Sequence, residues 1–478
     1  MALIGMSADI SALLDALVYG NMEQIISTTR ELLRLGELSY RLAGRVGMVA
    51  CHGDPDGHAI MTLSAASMLS FWLNSLPRGP EFDLLHRDRE IAVLTSAFAG
   101  TLPAVRAGRN AQDTYPEPFF PSDLPEDKTM ADMMHDAVFN NEPAMVERLL
   151  FGLYGTGADY RTMLVRVYDG ISTTFQNGGH PLTFAVRGSQ LLDAVEWGDR
   201  APNYIHWLTP HLPLHTEEPE WINTVRAYVA DPAHSIASYR TRLATPKNEN
   251  ALPLRALITG NAGAEQICQG VYNALIPGGA SARGVGSVIS LAAADAMQKV
   301  GDGDRDAFIK AAHGLLFAAA TRVVFAQLQD IEALPLLFTA AVYINALCKE
   351  LGEQKGTAQP PASLGLGGGL LAPALLDTLT QQLLERDLDG AFGTSRRYLR
   401  LGHEPRALFA TIGLVASQAN ASLDQGHTLQ IVQAAGEEFM AWPRDLATTS
   451  ADSILHVALR AAAFPQRNAL VPIPLPEY

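Results

Sequence analysis

Apolar residues recur along this chain at helical spacing with few interruptions. Stretches such as ISALLDALVYGNMEQIISTTRELL and ADSILHVALRAAAF place Leu, Ile, Val and Ala at i, i+3 and i+4. Few windows alternate with period two or gather β-branched residues, so strands are not expected. The pattern predicts an all-α protein.

One version of the pattern recurs four times. DPDGHAIMTLSAASMLSFWL, QNGGHPLTFAVRGSQLLDAV, IKAAHGLLFAAATRVVFAQL and LDQGHTLQIVQAAGEEFMAW each run from a turn-prone or polar segment through a small residue to a histidine, then into an apolar helix. The histidines are His58, His180, His313 and His427. Upstream of each a helix opens near an arginine: Arg41, Arg161, Arg283 and Arg406. The separations are 17, 19, 30 and 21 residues, the third lengthened by the insertion KVGDGDRDAF. A repeat of this kind is one supersecondary unit that buries its apolar face against its neighbours. Four tandem units of four to five helices follow, at 1–109, 131–240, 253–354 and 373–478, joined by Pro-, Gly- and acid-rich linkers at 110–130, 241–252 and 355–372. They are expected to stack into a curved or partly closed array.

Composition narrows the function. With 478 residues, 48% apolar and only 18% charged, the chain buries much of its surface within itself or in a homodimer interface. A formal charge of −15 with no basic cluster argues against nucleic acid and anionic membranes as partners. The first twenty residues lack a basic leader, and no run of about 18 uninterrupted apolar residues suggests a membrane span, so a cytoplasmic location is expected. Cys51, Cys268 and Cys348 are far apart in sequence and form neither a disulfide framework nor a thiolate metal motif. LGLGGG and RGVGS lack the strand and the Lys-Ser/Thr of a phosphate loop, and no Gly-x-Ser-x-Gly elbow occurs.

The candidate chemistry therefore lies with histidine. HGDPDGH offers His52, Asp54, Asp56 and His58, nitrogen and oxygen donors suited to Fe, Zn or Mn, with His180 as a further ligand. Asp-Pro-Asp-Gly is also an ordinary turn, and Asp56, Asn177 and Asp424 stand where helix caps belong, so a packing role for the histidines is the competing reading. Equivalent positions in a stacked array lie roughly 10 to 20 Å or more apart, given helix spacings of about 8 to 10 Å, whereas metal ligands sit about 2 Å from their ion. The four histidines can meet only if the units close on one another. A second candidate, NYIHWLTPHLPLH, carries Tyr204, His206, Trp207, His211 and His215 and reads either as a seal between units or as a lid or partner-binding patch.

With these Gly-His starts and arginine-led helices, the repeat resembles the helical region that follows a Rieske-type ferredoxin module in some bacterial proteins. The resemblance implies an all-helical fold and a separate ferredoxin as a source of electrons. The chain has no Cys-x-His with a later Cys-x-x-His, so no cluster ligands carry over, and only His58, His180, His313 and His427 match. Two functions are expected from the sequence: a binding module for a protein or small-molecule ligand on a concave surface, or a metal-dependent, redox-linked oxidoreductase with a His/Asp site in the first unit.

Overall fold

A computed structural model describes residues 9–464 apart from 79–81, 112–113, 196–199, 235–238, 241–244, 302, 329, 353–370 and 444–445. Most of the expected linker at 355–372, with LGLGGG, lies outside the described residues. Among those described there are 22 α-helices and no strand, and a single isolated bridge joins Asn248 to Ala280. The all-α expectation holds.

Four helices occupy the middle of the molecule: His58–Leu73, His180–Asp193, Arg305–Gln327 and His427–Met440. They are buried on nearly every side, and the first is almost wholly Ala, Leu, Ile, Met and Ser. A helix that is apolar all round belongs inside a larger protein, walled by others. Here the walls are other helices. Ser39–Ala50 and Phe82–Gly108 cover the first, Tyr160–Ile171 and Ala201–Leu208 the second, Ala282–Gln298 and Pro335–Gly352 the third, and Pro405–Ala416 and Asp452–Ala463 the fourth.

The packing of the four inner helices is cyclic. The His58 helix lies against those of His180 and His427, and the Arg305–Gln327 helix lies against the same two. Chain order therefore runs around a closed ring, in which the fourth helix returns to the first. Buried ion pairs hold the fourth helix to the second and third: Arg187 to Glu437, and Arg322 Nε to Glu438 Oε1 at 2.5 Å. Around this centre nearly all the buried apolar side chains form one cluster from Ile10 to Ala463, with Leu316, Ala319 and Ala434 as a small second cluster between the third and fourth inner helices.

By length and mean hydropathy, Leu85–Gly108, Arg305–Gln327 and Ile331–Gly352 could each cross a membrane. Between 67% and 83% of their most apolar windows is buried inside the protein, so internal packing already accounts for their composition. Arg41, Arg161, Arg283 and Arg406 all lie exposed in the first turn of their helices. Arg161 pairs with Asp330 and Arg283 with Glu249, both on the outer surface.

Candidate metal centre

The four repeat histidines meet. Ring centroids are 5.1 Å apart for His58 and His180, 4.8 Å for His180 and His313, 5.0 Å for His313 and His427, and 5.3 Å for His427 and His58. Residues more than a hundred positions apart in sequence thus form one closed ring of imidazoles, each contributed by one inner helix. A ligating atom from each of His58, His180 and His313 lies within 4.8 Å of the others, and His427 Nε2 lies 3.1 Å from His313 Nε2.

Local chain geometry explains the Gly-His pairs. Gly57, Gly179 and Gly426 have φ of +74°, +86° and +72°, a left-handed turn that sends the chain sharply into the helix with the histidine as its first residue. The glycines are also needed for space. A Cβ would lie 2.4 Å from the Phe184 ring at Gly57, 2.2 Å from Phe317 at Gly179, and 2.0 Å from Thr62 Oγ1 at Gly426. Phe184, Phe317 and Thr62 each stand four residues after the histidine of the next helix round the ring, so one contact is made three times in rotation.

The third member departs from the expected helix start. His313 lies in mid-helix, because the insertion gives Asp304 as a cap, accepting from Ala307 N at 3.0 Å, and the helix begins at Arg305, two turns early. Ala312 accordingly stands where the others have glycine, and the two extra turns carry Arg305 and Lys310 over the ring.

Around the other histidines, buried polar groups fix the helix starts. Asp54, and not Asp56, caps the first: its carboxylate accepts from Ala59 N at 3.2 Å and Ile60 N at 3.0 Å. Burial raises its pKa to about 6 against the pull of those two amides. Asp424 does the same for the fourth, accepting from Thr428 N at 3.1 Å and Gly426 N at 2.9 Å, with Arg305 3.3 Å away. At the second no side chain caps the helix: the Gln176 backbone carbonyl accepts from Gly179 N at 2.9 Å, its side chain donates to Pro213 O and accepts from His215 N, and Asn177 is exposed with φ of +48°.

Asp424 has a further effect. Its carbonyl accepts from His427 Nδ1 at 2.5 Å, so the lone pair of that ring lies on Nε2, which faces His313. Orienting a histidine through its second nitrogen in this way is what metal-binding imidazoles commonly require. His58 Nδ1 is buried without a hydrogen-bond partner.

All four rings are held in the neutral, ligating form. Burial first, and then the neighbouring histidines, lower the pKa of His58 to about 4, His180 to about 2 and His313 to about 3. His427 is lowered by burial against the opposing pull of the Asp424 carbonyl. First-row metal ions bind imidazole nitrogen at about 2.0–2.1 Å, which places adjacent ligating atoms roughly 3 to 3.4 Å apart. The 3.1 Å contact between His313 Nε2 and His427 Nε2, a hydrogen bond between the two rings, falls in that range, and the ligating atoms of His58, His180 and His313 lie within 4.8 Å of one another.

Three of the rings, His58, His180 and His313, open onto a cleft of about 710 Å³, and His427 lies buried behind them. Asp56 is exposed on the cleft wall, while Asp54 is committed to its cap and His52 turns away to lie 6.0 Å from His206. Of HGDPDGH, therefore, only His58 joins the ring. The second candidate stretch divides as well. His211 and His215 line the cleft, with His211 packed edge-on to Phe184 at 4.9 Å. Tyr204 and Trp207 are core residues, Tyr204 donating to Ala185 O, and His206 pairs with Glu147 on the far side. The three cysteines are buried and free, and burial raises Cys268 to about 12 and Cys348 to about 11.

The described residues thus define an all-helical protein with a ring of four neutral histidines at the base of a cleft. No known protein family, curated protein or solved structure matches the chain.

Proposed function

We propose that this chain is a metal-dependent enzyme acting on a small molecule, with His58, His180, His313 and His427 as the ligands. The observation that carries this reading is the convergence itself. Four histidines from four remote helices, one oriented by a backbone carbonyl and all held below the usual histidine pKa by burial, converge as a donor set larger than the single His313–His427 hydrogen bond requires. The rotational recurrence of the Gly-to-next-helix contact supports reading the chain as four related units closed into a ring. The cleft favours a small molecule over a protein partner, since its volume lies within the roughly 300–1,000 Å³ usual for small-ligand sites.

An all-imidazole set suits Fe, Cu, Ni or Zn, and offers Mn none of the oxygen ligands it prefers. Such an ion would supply Lewis acidity at the floor of the cleft and, for Fe or Cu, one-electron chemistry. The chain's own residues supply the rest. Asp54 and Asp424 fix the helix starts, Asp424 O sets the tautomer of His427, and the apolar bundle beneath keeps water from the buried side of the ring.

The test is metal content by plasma mass spectrometry on protein purified without a metal-binding tag. About one ion per chain is expected, falling at least tenfold in His180→Ala/His313→Ala with the far-ultraviolet circular dichroism unchanged. His58→Gln, which keeps volume and polarity, guards against loss through misfolding. Absence of metal after incubation with iron, copper, nickel and zinc would overturn the reading.

A further inference from the structure

The walls of the cleft differ from its floor. Phe184 stacks on His180 with centroids 4.9 Å apart and planes 12° from parallel. Phe175 packs against Tyr343 at 4.4 Å, and a second layer locks both in place, Trp221 lying 4.9 Å from Phe175 and Phe317 5.7 Å from Tyr343. Pro181 and Pro210 add rigid apolar surface. Rings held this way lose little freedom on binding, and flat walls select flat ligands.

Charge completes the description. Among the lining residues only Lys310 and Asp56 carry formal charge, and both stand at the rim, Lys310 in an ion pair with exposed Glu350. A divalent ion in a ring of neutral imidazoles would therefore keep its full charge, with no carboxylate among its ligands and Asp56 the one acid on the cleft wall. An uncompensated charge of that kind draws an anionic ligand. Lys310 lies three residues before His313 on the same helix, hence on the same face about 4.5 Å further out.

Building on the metal reading above, we propose that the cleft binds planar aromatic molecules bearing an ionised hydroxyl or carboxylate, whose oxygen completes the coordination of the ion while the ring lies along Phe184, Phe175 and Tyr343. Lys310 at the mouth attracts the anion on its way in. The step would form one coordinate bond from the ligand oxygen to the ion, with no change of oxidation state; a carboxylate binds already ionised, and a phenol gives up its O–H proton to solvent as that bond forms.

The probe is 1-hydroxy-2-naphthoate, titrated into the full chain loaded with Cu(II) and followed by the metal's visible absorption. Acetate, inorganic phosphate and neutral 1-naphthamide are the comparisons. The naphthoate is expected to shift the spectrum and to bind at least tenfold more tightly than any of the three. Phe175→Leu should weaken it about tenfold with copper content unchanged. Lys310→Gln should weaken it several-fold at low salt, and Lys310→Arg should restore it. Equal binding of acetate or phosphate would overturn the aromatic part, and naphthoate binding as tight without metal, or without a spectral shift, would overturn the link to the ion. Copper uptake measured before any titration reports separately on the metal reading, so the two fail independently.

Discussion

Gly57 has a conformation and a neighbour that both exclude a side chain, and comparison with Gly36 separates the two effects. Gly36 has φ of +94° with nothing within 4 Å of a new Cβ, whereas at Gly57 the Phe184 ring is 2.4 Å away. Gly36→Ala should lose about 1 kcal/mol for backbone strain alone. Gly57→Ala should lose about 2 to 4 kcal/mol, strain plus overpacking, and should lower metal occupancy as well. Denaturant unfolding of the two variants checks the difference, and equal losses would show that Phe184 moves freely. Protonation also acts at this scale. In the metal-stripped protein His58, His180, His313 and His211 have pKa values of about 4, 2, 3 and 4, against 6.5 for an ordinary histidine. The unfolded chain takes up their protons before the folded one does. Their contribution to stability is therefore complete above pH 6.5 and is lost as pH falls towards 4. Asp54, raised to about 6, works in the opposite sense between about 4 and 6. Glu90, Glu438, Asp377 and Asp452, all raised by burial, oppose the loss in the same direction, so the net fall is the excess of the histidines over these acids. The melting temperature of metal-stripped protein should be flat from pH 8 to 7 and fall steeply from pH 6.5 to 5; a flat profile down to pH 5 would contradict the burial of these rings.

At the level of the helices, much was legible in advance. The 3.6-residue period gave the helices, and the Gly-His starts gave three of the four site helices at their true first residue, because a left-handed turn before a helix leaves a glycine in the sequence. The third helix was misplaced for a physical reason. Asp304 and the good helix formers after it extend the helix backwards through His313, and a pattern centred on the histidine hides that early start. Asp304→Ala should cost about 0.5–2 kcal/mol, as loss of a cap does, with metal uptake unchanged because His313 lies two turns further in. Thermal unfolding together with metal content decides it. The choice of Asp54 over Asp56 as cap was not legible, since both precede the helix and only the path of the turn decides which carboxylate faces the amides. Lys310, Phe175 and Tyr343 carried no signal at all, being cleft residues only by virtue of how the helices pack.

For the whole molecule, the decisive property was closure, and a one-dimensional pattern cannot contain it. Periodicity says which face of a helix is buried but not which partner covers it, so four histidines in register were equally compatible with an open array that keeps them apart. The partners are set by contacts such as Arg322 with Glu438, both buried. Glu438→Gln should destabilise by about 3 kcal/mol, because it leaves the buried Arg322 charge with only the neighbouring Glu437 carboxylate to answer it, while Arg322→Met/Glu438→Leu should recover most of that loss. If the double variant is as unstable as the single one, the pair is needed for the fold itself and not only for its pairing. Closure also fixes when the site can come into being. Its ligands span the chain from His58 to His427, so during synthesis three imidazoles wait on helices whose last neighbour has not yet left the ribosome. The complete ring of four imidazoles exists only once the fourth helix has been released and docked against the first, so under the proposed metal reading four-histidine coordination would follow synthesis of that helix.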